Sequence, residues 1–196
     1  MPPSVPERQM LEVNLTVTPQ SVTNAYGLHG VTYFPHSRIA GLDARTAGFL
    51  STVGLPTSEV FTSRLDIEDP YGPDVDAITL GSRFDHYGMR CPLESRSWWS
   101  LGYLFTSLLA LDPKSGKIYA FPEGAVGCIE LHRDIESLVF ALVELRRLEN
   151  DHEDDVDPGV LAARFREVVE AFDPTPFESE DSQWILSLEE LEHGIW

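Results

Sequence analysis

Apolar runs and turn-forming residues alternate most clearly between positions 104 and 150. Two apolar runs, 104–111 and 117–121, flank the sequence Asp-Pro-Lys-Ser-Gly. In that sequence the proline fixes φ for a type I turn, the aspartate is suited to accept a backbone hydrogen bond, and the glycine supplies a positive φ. These features predict a β-hairpin, and a third apolar run at 128–131 predicts a further strand.

A long amphipathic helix is predicted after these strands. Asp134 is its expected N-cap, because an aspartate side chain accepts hydrogen bonds from the free backbone N–H groups at a helix start. Apolar residues then recur at the spacing of a helix with one buried face, at Ile135, Leu138, Val139, Leu142, Val143 and Leu148. We therefore predict an α+β fold with a central, mostly antiparallel sheet and packing helices.

Shorter elements are predicted before the hairpin. Residues 1–10 are rich in proline and are expected to form a flexible tail, followed by a single domain over residues 11–196. A short helix is predicted between an N-cap at Asp43 and a terminating glycine at Gly54. Alternating or β-branched apolar residues predict strands at 11–17, 31–34, 60–67, 77–80 and 98–101.

The C-terminal part of the chain predicts two more helices. An acidic stretch at 149–158 reads as a solvated linker after the long helix. The next helix has a buried face at Leu161, Phe165, Val168 and Phe172. The last helix is expected to begin at Asp181 or Ser182, to contain Trp184, and to end at Gly194.

Two neighbouring tryptophans mark the strand at 98–101. Side chains of neighbouring strand residues point to opposite faces, so one of Trp98 and Trp99 is expected to fill the core. The other would be covered by a loop or left partly exposed. A partner-binding role for Trp99 is the alternative to a core role, because large aromatic residues dominate interface hot spots.

Net charge is the most informative global property. The chain has 196 residues, enough for one domain with a sizeable core, and a formal net charge of −18. Residues 130–196 contain 19 acidic and 5 basic side chains, a net of −14, whereas residues 1–129 have a net of −4. A field of this sign repels nucleic acid and anionic membranes and attracts a protein with a basic surface. The simpler interpretation is that the acidity only maintains solubility.

Cysteine content and the chain start favour a cytoplasmic protein. Cys91 and Cys128 are too few for a disulfide framework and lack metal-ligand spacing, so reduced thiols are expected. The first residues resemble no secretory signal, and no apolar run approaches the roughly 18 residues of a membrane span.

No catalytic motif is recognisable. The chain lacks a glycine-rich phosphate loop, Gly-x-Ser-x-Gly and His-Glu-x-x-His, and none of its 6 histidines lies three or four residues from another. We therefore predict no catalytic residue, no metal and no cofactor. A small hydrolase or transferase that uses His86 or His132 is the alternative from the enzyme class.

Four segments together resemble a known family. They are residues 99–102 followed by the turn and strand at 111–119, the helix 135–148 with the preceding residues 131–134, the terminal segment 184–194, and the short helix and turn at 46–56. This combination is similar to the SUKH superfamily of bacterial immunity proteins, specifically its fourth group, as found in actinobacteria. The similarity covers roughly residues 43–196, and it rests on turns, caps and core positions.

The resemblance implies a function as well as a SUKH-like α+β fold. It implies stoichiometric binding and neutralisation of a toxin encoded nearby, often a nuclease or nucleic-acid deaminase, and it brings no catalytic residues. An acidic surface suits a toxin with a cationic nucleic-acid groove. The residues that we expect to contact the toxin are Trp99, Asp151, Glu153, Asp154, Asp155 and Asp157. A regulatory or scaffold domain with an endogenous protein partner is the alternative.

Overall fold

Helices and strands of the described residues are arranged around one five-stranded sheet. The computed structural model describes residues 15–34, 39, 41–63, 79–122 and 127–195. The helices in these residues are α1 Pro19–Tyr26, α2 Ala44–Thr52, α3 Leu80–His86, α4 Ile135–Glu153, α5 Pro158–Phe172 and α6 Gln183–Glu192. The strands are β1 Val31–Thr32, β2 Leu55–Pro56, β3 Phe61–Ser63, β4 Trp99–Leu104, β5 Ser107–Leu111, β6 Ile118–Phe121 and β7 Ile129–His132.

The sheet confirms the predicted antiparallel architecture. Its strand order is β3-β4-β5-β6-β7, every neighbouring pair is antiparallel, and β1 and β2 form a separate two-stranded sheet. The predicted hairpin joins β5 to β6. Asp112 Oδ1 accepts a hydrogen bond from Lys114 N–H at 3.0 Å, and Gly116 adopts a positive φ of 77°. The chain therefore combines helices with antiparallel sheets in an α+β fold.

The long apolar run that the sequence shows before this hairpin contains a turn. Leu104 ends β4, Phe105 takes a positive φ of 50°, and β5 starts at Ser107. A bulge also interrupts β4, because Ser100 faces Ala110 while Gly102 faces Leu109. At Gly102 a Cβ would lie 2.2 Å from the carbonyl oxygen of Thr62, so only glycine fits this close approach of β3.

Helix α4 covers one face of the sheet and creates the main core. Asp134 caps it as predicted, since its side chain accepts a hydrogen bond from Ser137 N–H at 2.9 Å. Leu138, Val139 and Leu142 are fully buried against the sheet. The opposite face carries a smaller cluster around Leu80 and Leu108, with partly buried aromatic side chains packed against it.

The prediction of a strand at 11–17 is wrong for its described residues, 15–17. Leu15 to Val17 form no strand, and α1 begins at Pro19 after the N-cap Thr18. The N–H groups of Thr16 and Val17 instead donate to the carboxylate of buried Glu136, at 2.6 and 3.2 Å. A long-range side-chain acceptor thus replaces the neighbouring strand that the alternation suggests. Residues 11–14 and the predicted tail at 1–10 lie outside the described residues.

The prediction of a strand at 77–80 is also wrong for its described residues, 79 and 80. Thr79 forms an isolated bridge with Trp99, and its side chain accepts a hydrogen bond from Ser82 N–H at 3.3 Å, which caps α3. Leu80 is therefore the first helical residue rather than the end of a strand. Residues 77–78, like residues 64–67 of the predicted strand at 60–67, lie outside the described residues.

The predicted short helix is confirmed at both ends. Asp43 accepts hydrogen bonds from the N–H groups of Arg45 and Thr46, at 2.9 and 3.1 Å. Gly54 follows the helix with a positive φ of 78°. The last helix is likewise confirmed, with Ser182 rather than Asp181 as its N-cap.

Candidate functional site

A buried polar network joins β7, α4, α6 and the residues after α5. His132 is fully buried, and its Nδ1 lies 2.9 Å from Ser137 Oγ. The indole N–H of Trp184 donates to His132 Nε2 at 3.0 Å. Because Nε2 accepts, the neutral ring carries its proton on Nδ1 and donates it to Ser137. Ser137 in turn donates its hydroxyl hydrogen to the carboxylate of Asp173.

Burial and hydrogen bonding fix the protonation states of this network. Burial lowers the pKa of His132, although the nearby Asp173 carboxylate opposes the shift. Burial alone would raise the pKa of Asp173, but the His132 ring 3.8 Å away and hydrogen bonds from the Ser137 hydroxyl and the Arg133 backbone N–H hold it well below its usual value. Near neutral pH the network therefore contains a neutral imidazole and an ionised carboxylate.

This network contains the residue types of a nucleophilic triad in an arrangement that does not suit catalysis. Ser137 lies between the histidine and the aspartate, so His132 donates to the hydroxyl group instead of accepting its proton. His132 and Ser137 are fully buried and Asp173 is 1% exposed, which leaves a substrate no access. The geometry makes the network a structural connection between four segments. The other histidine of the enzyme alternative, His86, lies exposed at the end of α3 with its ring edge against Tyr87.

The network predicts that acid lowers stability in two steps. Because the pKa of His132 is lower in the folded than in the unfolded state, the unfolded chain binds the extra proton as pH falls through about 6.5. The free energy of unfolding should then fall by up to about 1.4 kcal/mol per pH unit. The lowered pKa of Asp173 adds a second loss as pH falls below about 4.

Urea unfolding at a series of pH values tests this expectation. His132→Gln removes the titrating group and should remove most of the slope between pH 6.5 and 5. The matched control His193→Gln changes an exposed histidine and should leave the slope intact. Equal slopes for wild type and His132→Gln would contradict the assignment.

The acidic stretch that the sequence suggests as a linker is mostly ordered helix and cap. Helix α4 continues to Glu153, where Asp154 N–H still bonds to Asn150 O at 3.2 Å, and α5 begins at Pro158. The linker prediction is wrong because only residues 154–157 connect the two helices. We define the acidic corner as Asp151, Glu153, Asp154, Asp155 and Asp157.

Two members of the acidic corner have structural partners. Asp157 accepts a hydrogen bond from Val160 N–H at 3.1 Å and so caps α5. Asp151 is half-buried and forms an ion pair with Arg164, which reaches across from α5. Both contacts stabilise the junction of the two helices.

The other three members are exposed where a helix does not favour them. Glu153, Asp154 and Asp155 are exposed at the C-terminal end of α4, and within the described ranges none of them forms an ion pair. The helix dipole places partial negative charge at that end, so each acid there costs roughly 0.3–1 kcal/mol. Asp155 takes a positive φ of 60° in the turn that ends α4, where Val156 N–H bonds to Asp151 O at 3.2 Å. Glu153 and Asp154, exposed at a helix end that disfavours acidic side chains, are therefore candidates for contact with a partner.

A groove of ≈ 340 Å³ runs between α4 and α5 and reaches the acidic corner at Asp151. Helix α4 contributes a stripe at i, i+3, i+4 and i+7: Glu144, Arg147, Leu148 and Asp151. Helix α5 contributes a stripe with the same spacing: Leu161, Arg164, Phe165 and Val168. Residues with this spacing share one helix face, so the groove follows the helix axes.

The packing of α4 on the sheet decides which of the two neighbouring tryptophans fills the main core. Trp99 is only 8% exposed and lies in the main core. Trp98 faces the opposite side, is half-buried, and stacks on Tyr119 with ring centroids 4.3 Å apart. A docking role for Trp99 is not supported by its burial, and we leave it out of the proposed contact surface.

Two other types of site are absent from the described residues. No group of three or more His, Cys, Asp or Glu side chains in the described part of the chain is arranged to hold a metal ion. No helix among the described ranges has the length and apolarity needed to cross a membrane. Burial raises the pKa of both Cys91 and Cys128, which lowers their reactivity as thiolates.

Comparison with protein-family models decides the classification. The model described as SUKH-4 immunity protein matches residues 17–190, which extend from just before α1 into the last turn of α6. The chain belongs to the SUKH-4 immunity protein family. No curated protein and no solved structure matches it. The resemblance seen in residues 43–196 is confirmed, and the match includes α1 and the β1–α2 region as well.

Membership in the SUKH-4 family gives the chain its general role. The family implies toxin-neutralising immunity, and therefore a cognate toxin as the partner. Members of an immunity family generally act without enzymatic chemistry, which is consistent with a Ser–His–Asp set that is closed to substrates. A protein with this role needs a contact surface, for which the acidic corner and the adjoining groove are the candidates.

Proposed function

We propose that this SUKH-4 protein neutralises its toxin by stoichiometric binding through the acidic corner. The observation that carries the proposal is the exposure of Glu153, Asp154 and Asp155 at the C-terminal end of α4, where the helix dipole does not favour acidic side chains. In an immunity protein, such residues are best explained by contact with a basic partner. The toxin is proposed to be a nuclease or a nucleic-acid deaminase.

Electrostatics explains why this partner suits this surface. An enzyme that acts on nucleic acid presents lysine and arginine to phosphates. The acidic corner belongs to the region 130–196, which has a net charge of −14. Opposite fields accelerate encounter and orient the two proteins before contact. The corner would occupy the cationic groove of the toxin, or bind beside its active centre and exclude the substrate.

The same charge argues against two other partners. A net charge of −18 repels nucleic acid and anionic membrane surfaces, so neither is proposed to bind this chain. We further propose that the protein acts in the cytoplasm, because a toxin that attacks nucleic acid meets its substrate there. No cofactor takes part in the proposed binding.

Charge reversal at the corner should weaken toxin binding far more than charge reversal elsewhere. The test variant is Glu153→Lys with Asp154→Lys, and the matched control is Glu189→Lys with Glu190→Lys on exposed positions of α6. Both variants change the net charge equally. We expect the corner variant to lose on the order of 100-fold in affinity and the control less than about 10-fold. Titration calorimetry with the toxin domain encoded beside the gene for this chain measures both.

Salt dependence provides a second readout of the same interaction. Wild-type affinity should fall as ionic strength rises from 50 to 500 mM, and the corner variant should show a shallower dependence. Equal affinities for the two charge-reversed variants would remove the acidic corner from the contact surface. A toxin that does not bind the wild-type protein at all would refute the proposed function.

A further inference from the structure

We propose that the groove between α4 and α5 receives an amphipathic helical segment of the toxin that presents lysine or arginine beside apolar side chains. This inference rests on the proposed function and specifies which element of the toxin makes the central contact. It differs from the acidic corner because its core is apolar and concave. The groove and the corner share only Asp151.

The shape of the groove fits a helix. The α4 stripe extends from Glu144 to Asp151, which is about 10 Å along the helix axis at 1.5 Å per residue. The α5 stripe covers the same number of residues. Two walls of this length match about two turns of a third helix. Insertion of an amphipathic helix into a groove is a recurring mode of recognition.

The floor of the groove is apolar and its rim is accessible. Leu148, Leu161 and Phe165 are at most 3% exposed and form the floor. Val168 is 36% exposed at the rim. An apolar side chain of a partner would cover this valine above the buried floor, and burial of such surface favours association.

The charges around the groove favour a cationic occupant. Arg147 is paired with Glu144, and Arg164 is paired with Asp151, so both arginines of the groove are already neutralised. The remaining field comes from the acidic corner at one end, where Glu153 and Asp154 are exposed. A lysine or arginine of the toxin would be attracted by these exposed acids and would compete with Arg164 for Asp151.

Substitution of Val168 at the rim distinguishes a local contact in the groove from the effect of the overall electrostatic field of the protein. Val168→Arg places a long cationic side chain at the groove, and the matched control Ala163→Arg adds the same side chain to an exposed position of α5 that does not line it. With the toxin domain encoded beside the gene for this chain, we expect Val168→Arg to lose at least about 30-fold in affinity. Ala163→Arg should stay within about threefold of wild type.

Three further variants keep the test decisive. If Val168→Arg fails to fold, Val168→Ser and Ala163→Ser replace the pair, with an expected loss of about fivefold for the first and none for the second. Arg164→Ala frees Asp151 for the toxin and should tighten binding severalfold. Unchanged or weaker binding by Arg164→Ala would contradict competition for Asp151.

The outcomes distinguish the groove from the proposed function. If wild type binds and Val168→Arg binds as tightly as Ala163→Arg, the groove inference is overturned and toxin binding stands. If the wild-type protein does not bind the toxin, the groove inference and the proposed function are both refuted. If sedimentation shows a wild-type dimer that Val168→Arg disrupts while toxin binding is unchanged, a second copy occupies the groove and the inference is overturned.

Discussion

Replacing Asp173 with alanine is expected to lower the free energy of unfolding by about 3–5 kcal/mol. The carboxylate is 1% exposed and accepts hydrogen bonds from Arg133 N–H at 3.0 Å, from Thr175 N–H at 3.1 Å, and from the hydroxyl group of Ser137. Alanine would leave these donors buried without an acceptor, and each unsatisfied donor costs about 1–3 kcal/mol. Urea unfolding at pH 7 measures the difference.

A second aspartate provides the control for this substitution. Asp134 accepts a hydrogen bond from Ser137 N–H, but it is more exposed than Asp173, and water can replace the bond. Asp134→Ala should cost only about 1 kcal/mol, the usual effect of losing an N-cap. Equal costs for the two alanine variants would show that the buried network does not stabilise the fold as argued.

Trp184→Ala should destabilise the protein by a similar amount, about 3–5 kcal/mol. The indole ring is 1% exposed, packs on Phe165 with centroids 5.5 Å apart, and lies edge-on to His132. Its removal creates a cavity where α6 meets the rest of the core. It also takes away the only hydrogen bond within the described residues to Nε2 of His132.

Trp184→Phe separates the two effects. Phenylalanine keeps most of the apolar contact but lacks the N–H group, so we expect a loss of about 1–2 kcal/mol from the unsatisfied imidazole nitrogen. Denaturant unfolding followed by circular dichroism measures both variants. A phenylalanine variant as unstable as the alanine variant would indicate that the hydrogen bond, and not packing, dominates at this position.

Local signals explain the parts of the fold that the sequence predicts correctly. The turn around Asp112 and the caps at Asp43 and Asp134 are each specified by residues within a few positions of one another. The burial face of α4 follows from apolar spacing alone. For α5 the prediction agrees at Leu161 and Phe165 but is wrong at Val168, which is 36% exposed while the neighbouring Val169 is fully buried. The turn and the caps need no knowledge of the remaining chain, and their predictions agree with the structure.

Non-local contacts explain the parts that the sequence does not predict. The segment at Thr16 and Val17 resembles a strand, but its N–H groups bind Glu136, which is about 120 residues away in sequence. The acidic stretch resembles a linker, but Arg164 pairs with Asp151 and supports the last turn of α4. Neither partner can be identified from spacing along the chain.

The candidate site likewise has one part that the sequence predicts and one part that it does not. A run of acidic residues can be recognised directly in the sequence. The acidic corner can therefore be predicted without a structure. The groove cannot, because its two stripes mix apolar residues such as Leu148 with charged ones such as Arg147 and do not look like a binding face. For Trp99 the neighbouring Trp98 is an equal candidate for the core, and only the packing of α4 on the sheet decides between them.

Titration of toxin activity with the purified protein is the most direct test of neutralisation by binding. With the toxin far above the dissociation constant, residual activity should fall linearly and reach zero at one equivalent of this protein, with no change on longer preincubation. Toxin that loses activity progressively with time at a small fraction of one equivalent would contradict this account, because it would mean that the protein turns over its target.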